Sequence, residues 1–333
     1  MKLSILDQSP ISSGQTAQQA LHNSLILAQE GDRLGYSRIW LTEHHDLPGL
    51  ACSSPEVMIS YIGTQTRNIR IGAGAVLLPH YKPYRVAETF NMLATLFPGR
   101  IDLGIGRAPG GSAEVTMALS DNYLQNVYKM PELVQELLHY LRRDFPDSHQ
   151  FSSISAAPVP ETLPVPWILG TSEKSAKLAA ENGVAYAFGE FMSHKDGVKS
   201  LQLYRDQFQA KGSLTSPETI LTVAVICAEN EEKAKEIALS NTLWRIQSEQ
   251  GEGNTVPSVE EAKQYVWTER EKDLKEKIEE KMIAGSPSQV KRRLMDLQEQ
   301  YQADEIMLIT ISHDLEDRLN SFRLIAKEFM REV

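Results

Sequence analysis

The sequence predicts a parallel (β/α)8 TIM barrel with an inserted loop region after its seventh strand. Two observations carry that expectation. Short β-rich runs alternate with amphipathic stretches along the whole 333-residue chain, and eight strands, each followed by a helix, make the pattern of a barrel. A doubly wound sheet would use fewer strands and usually carries a glycine fingerprint after the first one; here the first strand runs into DQSPISSG, which has none. The length suits one large barrel as well as two ordinary domains, and the unbroken alternation favours a single domain over residues 1–333.

The elements follow in order. Residues 3–6 form the first strand, and a helical pattern over 17–34 ends near Gly35, the residue type that most readily takes a left-handed helix stop. Residues 38–42 are the second strand, with helix-like 55–66 after it, and 69–78 the third, followed by a helix over 84–97. Pro98-Gly99 is a turn, 100–105 is the fourth strand, and a long helical pattern covers 123–143. The stretch SSISAAPVPETLPVP, rich in Ser and Pro, reads as loop. The fifth strand is 167–169, and the helix 172–182 stops at Gly183. Residues 185–188, 221–226 and 305–310 supply strands six to eight, with helices over 195–210, 231–249, 286–300 and 315–328. Residues 251–284 are polar and strongly charged; they read as an insertion forming a mobile lid at the strand-end face.

Composition narrows the function classes. A hydrophobic fraction of 41% and a charged fraction of 23% are ordinary for a soluble globular protein. The net charge of -10 argues against nucleic acid or an anionic membrane as partner, because phosphate binding needs a basic face. The acidic excess is partly local, over 229–236 and 269–280, where it reads as solvated helix. Cys52 and Cys227 stand far apart with no CxxC pair, so neither a disulfide framework nor a structural zinc site is expected. MKLSILDQSP enters a strand directly, without the features of a signal peptide. No window approaches the roughly 20 apolar residues that cross a bilayer, and a cytoplasmic protein is expected.

In a barrel the reactive groups project from the C-terminal ends of the strands. That rule gathers Asp7 and Gln8, Glu43-His44-His45, Pro79-His80, Gly106-Arg107, Gly170-Thr171-Ser172 and Glu190-Phe191 at one mouth. Within RIDLGIGRAPGG, Gly104 and Gly106 resemble the opening of a dinucleotide fingerprint, but Pro109 stands where the third glycine belongs. The other reading is a tight strand exit that brings backbone close to a ligand, with Arg107 offering its charge to a phosphate. An Arg107 paired with a barrel carboxylate is the structural alternative.

Thr171 and Ser172 stand at a helix start, with Ser175 one turn on. Free amides and the helix dipole favour an anion there, although a plain N-cap accounts for the same residues. Together with Arg107 they make a phosphate clamp. The small residues Gly72 to Ala75 on strand three either leave room for a flat ligand or satisfy tight barrel packing. In WLTEHHDLPG, adjacent strand residues point to opposite faces, so His44 and His45 reach one metal ion only if the backbone bends. With no HExxH or HxH pattern, a metal site is not expected. A histidine at a barrel strand end is better suited to acid–base work near neutral pH.

Four pieces, WLTEHH, GAGAVLLPHYKPYRVAE, FPGRIDLGIGRAPG and ILGTSEKSAKLAAENG, cover most of residues 1–190. In that order they resemble the bacterial luciferase-like flavin monooxygenase family, and GSPSQVKRRL is similar to its closing helix. The resemblance implies a barrel that binds FMN, reduced by NAD(P)H directly or by a separate flavin reductase. It also implies oxidation of a small organic substrate with O2, and a homodimer built through the helices near strands two and three. Position by position it implies His44 as the active-site base or the group that polarises the oxygen-bearing flavin. Arg107 matches a phosphate-binding arginine, Ser172 and Ser175 match hydroxyls on the same phosphate, and Gly74-Ala75 matches a non-proline cis peptide beside the isoalloxazine.

Two departures bear on activity. Gly106 stands where luciferase α chains have a reactive cysteine, and Thr171 where an acid precedes the phosphate-binding serine, so aldehyde oxidation and light emission are not expected. Use of the deazaflavin F420 on the same fold, a flavin-binding protein without turnover, and a metal-dependent barrel hydrolase are the competing readings. The substrate is set by the mouth loops and by residues 251–284.

Overall fold

A computed structural model describes residues 1–251 and 255–329; residues 252–254 of the insertion lie outside the described residues. In chain order the first half holds β1 (Lys2–Asp7), α1 (Ala17–Leu34), β2 (Arg38–Leu41), α2 (Pro55–Gly63), β3 (Arg70–Leu77), α3 (Pro83–Leu96) and β4 (Ile101–Gly106). Three helices, α4 (Ala113–Leu119), α5 (Tyr123–Tyr128) and α6 (Met130–Arg142), precede β5 (Val165–Gly170), α7 (Glu173–Asn182), β6 (Ala185–Gly189) and α8 (Gly197–Gln207). The remainder holds β7 (Thr219–Cys227), α9 (Glu231–Glu249), α10 (Val259–Gln264), α11 (Glu269–Lys281), β8 (Ile283–Gly285), α12 (Pro287–Tyr301), β9 (Glu305–Ile309) and α13 (Leu315–Phe329).

Each of β1 to β5 pairs in parallel with the next strand, β6 pairs with β7, β7 with β9 and β9 with β1. The predicted eight-stranded barrel therefore closes. Side chains alternate across its wall, as strand geometry requires. Ile39 and Leu41, Tyr186 and Phe188, and Ile306 and Leu308 pack outward under the helices. Leu6, Trp40, Trp167, Ala187, Ala224, Met307 and Ile309 fill the lumen.

The lumen is layered. At its N-terminal end Arg38 is clamped by Glu305 (Nε–Oε1 2.9 Å, Nη2–Oε2 3.0 Å) and Asp102 (2.9 Å), all nearly inaccessible. Arg70 reaches the other Asp102 oxygen at 3.0 Å. Above this charged layer lie Trp40 and Trp167, edge to face at 5.4 Å, with the Arg38 guanidinium 4.8 Å from the Trp167 ring. A Cβ on Gly72 would come within 2.7 Å of the Asp102 Cβ and 2.8 Å of Trp40, so that glycine answers to packing.

Three differences from the sequence-based expectation have physical causes. The helix expected over 123–143 is broken at Lys129 into α5 and α6, and Pro131, which lacks an N–H, falls in the first turn of α6. Ser112 caps the unexpected α4, accepting from the Val115 N–H. β7 outruns its barrel neighbours, and its residues Val225–Cys227 pair with β8, too short to show a period. The insertion also carries α10 and α11. Glu271 accepts from Thr268, from Tyr265 (2.8 Å) and from Gln250 (3.2 Å), tying α11 to the end of α9.

Candidate active site

β2 ends at Leu41, and three of the next four residues are pinned by backbone bonds: Thr42 N–H to the Asp7 carbonyl (3.0 Å), His44 to Cys52 (3.0 Å) and His45 to Gly110 (2.8 Å). Glu43 is buried and works as a hub. Its Oε2 accepts from the Leu77 N–H (2.9 Å), and its Oε1 accepts from the Tyr81 hydroxyl (2.7 Å) and lies 2.9 Å from His45 Nε2. Burial, with Glu43 as the next cause, holds the Tyr81 phenol well above its ordinary range. His44 turns the other way, its Nδ1 2.9 Å from Thr42 Oγ1. Desolvation, aided by the neighbouring His45, pushes its pKa down to about 4, so the imidazole is neutral at neutral pH.

His44 lines a cavity of about 380 Å3 at the C-terminal mouth of the barrel, within the usual range of about 300–1,000 Å3 for small-molecule sites. Leu6, Trp40, Thr222 and Met307 supply lumen-side walls. Gly74 and Ala75 form one side, and the peptide bond between them is cis. The register of β3 against β4 shifts there, Ala73 pairing with Leu103 and Val76 with Ile105. Arg107, Thr171, Ser172 and Ser175 also line this cavity. All seven positions expected from the sequence, His44, Gly74, Ala75, Arg107, Thr171, Ser172 and Ser175, therefore meet in one place.

Arg107 is exposed and lines the cavity, and no ion pair joins it to a carboxylate among the described residues. The glycines before it serve a tight strand exit: a Cβ on Gly104 would stand 2.1 Å from the Ala73 carbonyl oxygen. Ser172 caps α7 and is buried. The Ser175 hydroxyl donates to the Ser172 carbonyl (2.7 Å), lies 3.0 Å from the Tyr186 hydroxyl and accepts from the Ser172 N–H (3.3 Å). It therefore braces the turn.

Of the other strand-end residues, Gln8, Glu43, Gly106, Gly170 and Phe191 line the same cavity, whereas Asp7, His45, Pro79, His80 and Glu190 do not. Asp7 Oδ1 accepts from Arg318 and from the Ser9 N–H, both at 2.8 Å, outside the cavity. His80 lies 2.9 Å from the Pro109 carbonyl and stacks on Tyr123 at 4.7 Å. Lys195 and Met192 also line the cavity, and no pattern in the sequence singled out either. The expected helix from 195 begins instead at Gly197, with the Asp196 side chain accepting from Lys199, which leaves Lys195 in the mouth loop. Among the described residues no group of three His, Cys, Asp or Glu side chains could hold a metal ion, and no helix is long and apolar enough to cross a membrane.

The family model described as luciferase-like monooxygenase matches residues 1–303. The chain belongs to that family. Among relatives of this luciferase-like family member, an uncharacterised protein of Bacillus subtilis (strain 168), YwcH, is 42% identical, the match covering 99% of each chain. The N-acetyl-S-alkylcysteine monooxygenase of the same organism is 35% identical, over 98% of this chain and 97% of that protein. The crystal structure of apo-MsnO8 superposes with a TM-score of 0.87 at 33% identity, covering 98% of both chains.

Proposed function

We propose that this chain is an FMN-dependent monooxygenase that oxidises a small organic substrate with O2. One observation carries the reading. A single cavity joins Arg107, without a carboxylate partner among the described residues, to the start of α7 at one side and a neutral His44 at another, with the small residues Gly74 and Ala75 beside them. Arg107, Thr171 and the Ser172 amide and hydroxyl would hold the phosphate, because a helix start and a guanidinium both favour an anion. Ser175, engaged with Ser172 and Tyr186, supports that cradle from behind. The narrow Gly74–Ala75 wall suits a flat ring.

Bound FMN, once reduced, supplies the electrons for oxygen chemistry. The protein's part is to seat the substrate and handle the proton. With His44 Nδ1 held by Thr42, Nε2 is the atom that takes or returns a proton in the cavity. Arg107→Ala should weaken FMN by about tenfold or more while leaving riboflavin nearly unaffected, since a charge-assisted phosphate contact is lost. Equal losses for both ligands in a fluorescence titration would refute the clamp. The same titration with F420 separates the deazaflavin alternative, and oxygen uptake with reduced FMN separates an enzyme from a flavin carrier. NAD(P)H consumption by the purified protein shows whether a separate reductase is needed.

We also infer a homodimer through α2 and α3, which expose Val57, Tyr61, Met92 and Leu96 to solvent; exposed apolar faces of this kind mark interaction sites. The expected outcome is a dimer mass by light scattering that falls to a monomer in Val57→Asp/Leu96→Asp. A wild-type monomer at working concentrations would rule it out.

A further inference from the structure

Beyond His44 lies a second cavity of about 680 Å3, which shares Gln8, His44, Phe191 and Met192 with the first. Leu50, Ala224, Trp244, Ile309 and Ile311 make much of its wall apolar. Into that wall α9 sets Arg245. The side chain is half-buried, and its Nη2 donates to the Phe191 carbonyl at 3.5 Å, the limit of such a bond. Among the described residues no carboxylate lies within ion-pair distance of it. Glu249 and Glu190 act on it only at longer range. The two fully buried guanidiniums have carboxylate partners, Arg38 with Glu305 and Asp102 and Arg318 with Asp7, and the half-buried Arg142 and Arg205 bond to carbonyl oxygens at 3.0–3.2 Å, closer than the one bond of Arg245. One turn before Arg245, Asn241 lines the same cavity, and its Oδ1 has no partner among the described residues.

A guanidinium partly stripped of water and left without a counter-ion is costly, and an incoming anion relieves that cost. A carboxylate matches its planar fork with two parallel hydrogen bonds. We propose that the second cavity seats the organic substrate, and that the substrate joins an apolar body to a carboxylate recognised by Arg245. The position of His44 on both cavities then places the substrate's other end against the first one. This rests on reading the first cavity as the flavin seat, but the binding it foresees is measurable without flavin.

The probes are hexanoate and hexanamide, equal in length and differing in charge, titrated by ligand-observed NMR at pH 7 into the full chain with and without FMN. The wild type should bind hexanoate about tenfold more tightly than hexanamide, the margin by which a charged hydrogen-bonded pair exceeds a neutral one. Arg245→Gln should erase the preference and leave FMN affinity unmoved. Equal affinities in the wild type, or a preference that survives Arg245→Gln, would overturn the proposal. If that variant fails to fold, Glu249→Gln at the exposed end of α9 replaces it: removing the nearby acid should strengthen hexanoate and not hexanamide, and an equal response of both ligands overturns the assignment. Failure to bind FMN with the preference intact would instead count against the flavin reading alone.

Discussion

The His44 imidazole faces a cavity wall on one side and Thr42 on the other, and burial holds its pKa near 4 against an ordinary 6.5. In the unfolded chain the same group takes up a proton as the pH falls below about 6.5, whereas in the folded protein it does not until about 4. The unfolded state thus binds more protons in that window, and stability from this group is complete above 6.5 and is lost progressively toward 4. Between pH 7 and pH 4.5 the loss amounts to roughly 2–3 kcal/mol. His44→Gln lacks the titration, so urea unfolding should show the wild type losing that much more stability than the variant on acidification. Parallel losses would mean that His44 is not desolvated as described. The neighbouring His45, bound to Glu43, illustrates why a histidine pair is ambiguous in sequence: alternation along a strand says that the two diverge, but not which one meets the cavity.

At the scale of elements, the strand-end rule located the site because it depends only on strand order and direction, which hydrophobic alternation makes visible. The seven expected positions fall on β2, β3, β4 and β5 or within five residues of their ends. What was not visible depends on contacts between distant segments. The hub role of Glu43 needs Leu77 and Tyr81, and Lys195 reaches the cavity only because Asp196, rather than an earlier residue, caps α8. The β5–α7 turn shows how tightly such contacts are drawn. A Cβ on Gly170 would come within 2.2 Å of Ser175 Oγ and 2.5 Å of Ser175 Cβ. Gly170→Ala must therefore displace the start of α7, costing about 1–3 kcal/mol in urea unfolding and weakening FMN. Because the two residues collide directly, Gly170→Ala combined with Ser175→Gly should be less destabilised than the sum of the single changes. Strict additivity would show that the turn relaxes in some other way.

Across the whole molecule the barrel separates what stabilises from what binds, as barrels do between their two faces. The charged layer of Arg38, Asp102, Glu305 and Arg70 closes the N-terminal end of the lumen, and the tryptophan layer stands between it and the cavity. Glu305 has Arg38 as its ion-pair partner, whereas Asp102 keeps Arg70 if Arg38 is lost. Arg38→Met should therefore strand the Glu305 carboxylate in a site only 1% exposed, and leaving one member of a buried pair uncompensated costs about 3–5 kcal/mol. Arg38→Met/Glu305→Leu removes both charges and should recover much of that loss, since apolar replacement of a buried pair is often neutral. In both variants the FMN dissociation constant should stay at the wild-type value, because no residue of the charged layer lines the cavity. A fall in FMN affinity that tracks the fall in stability would show that the two ends of the barrel are coupled through Trp40, whose indole N–H donates to Asp102 at 3.0 Å while its ring lines the cavity.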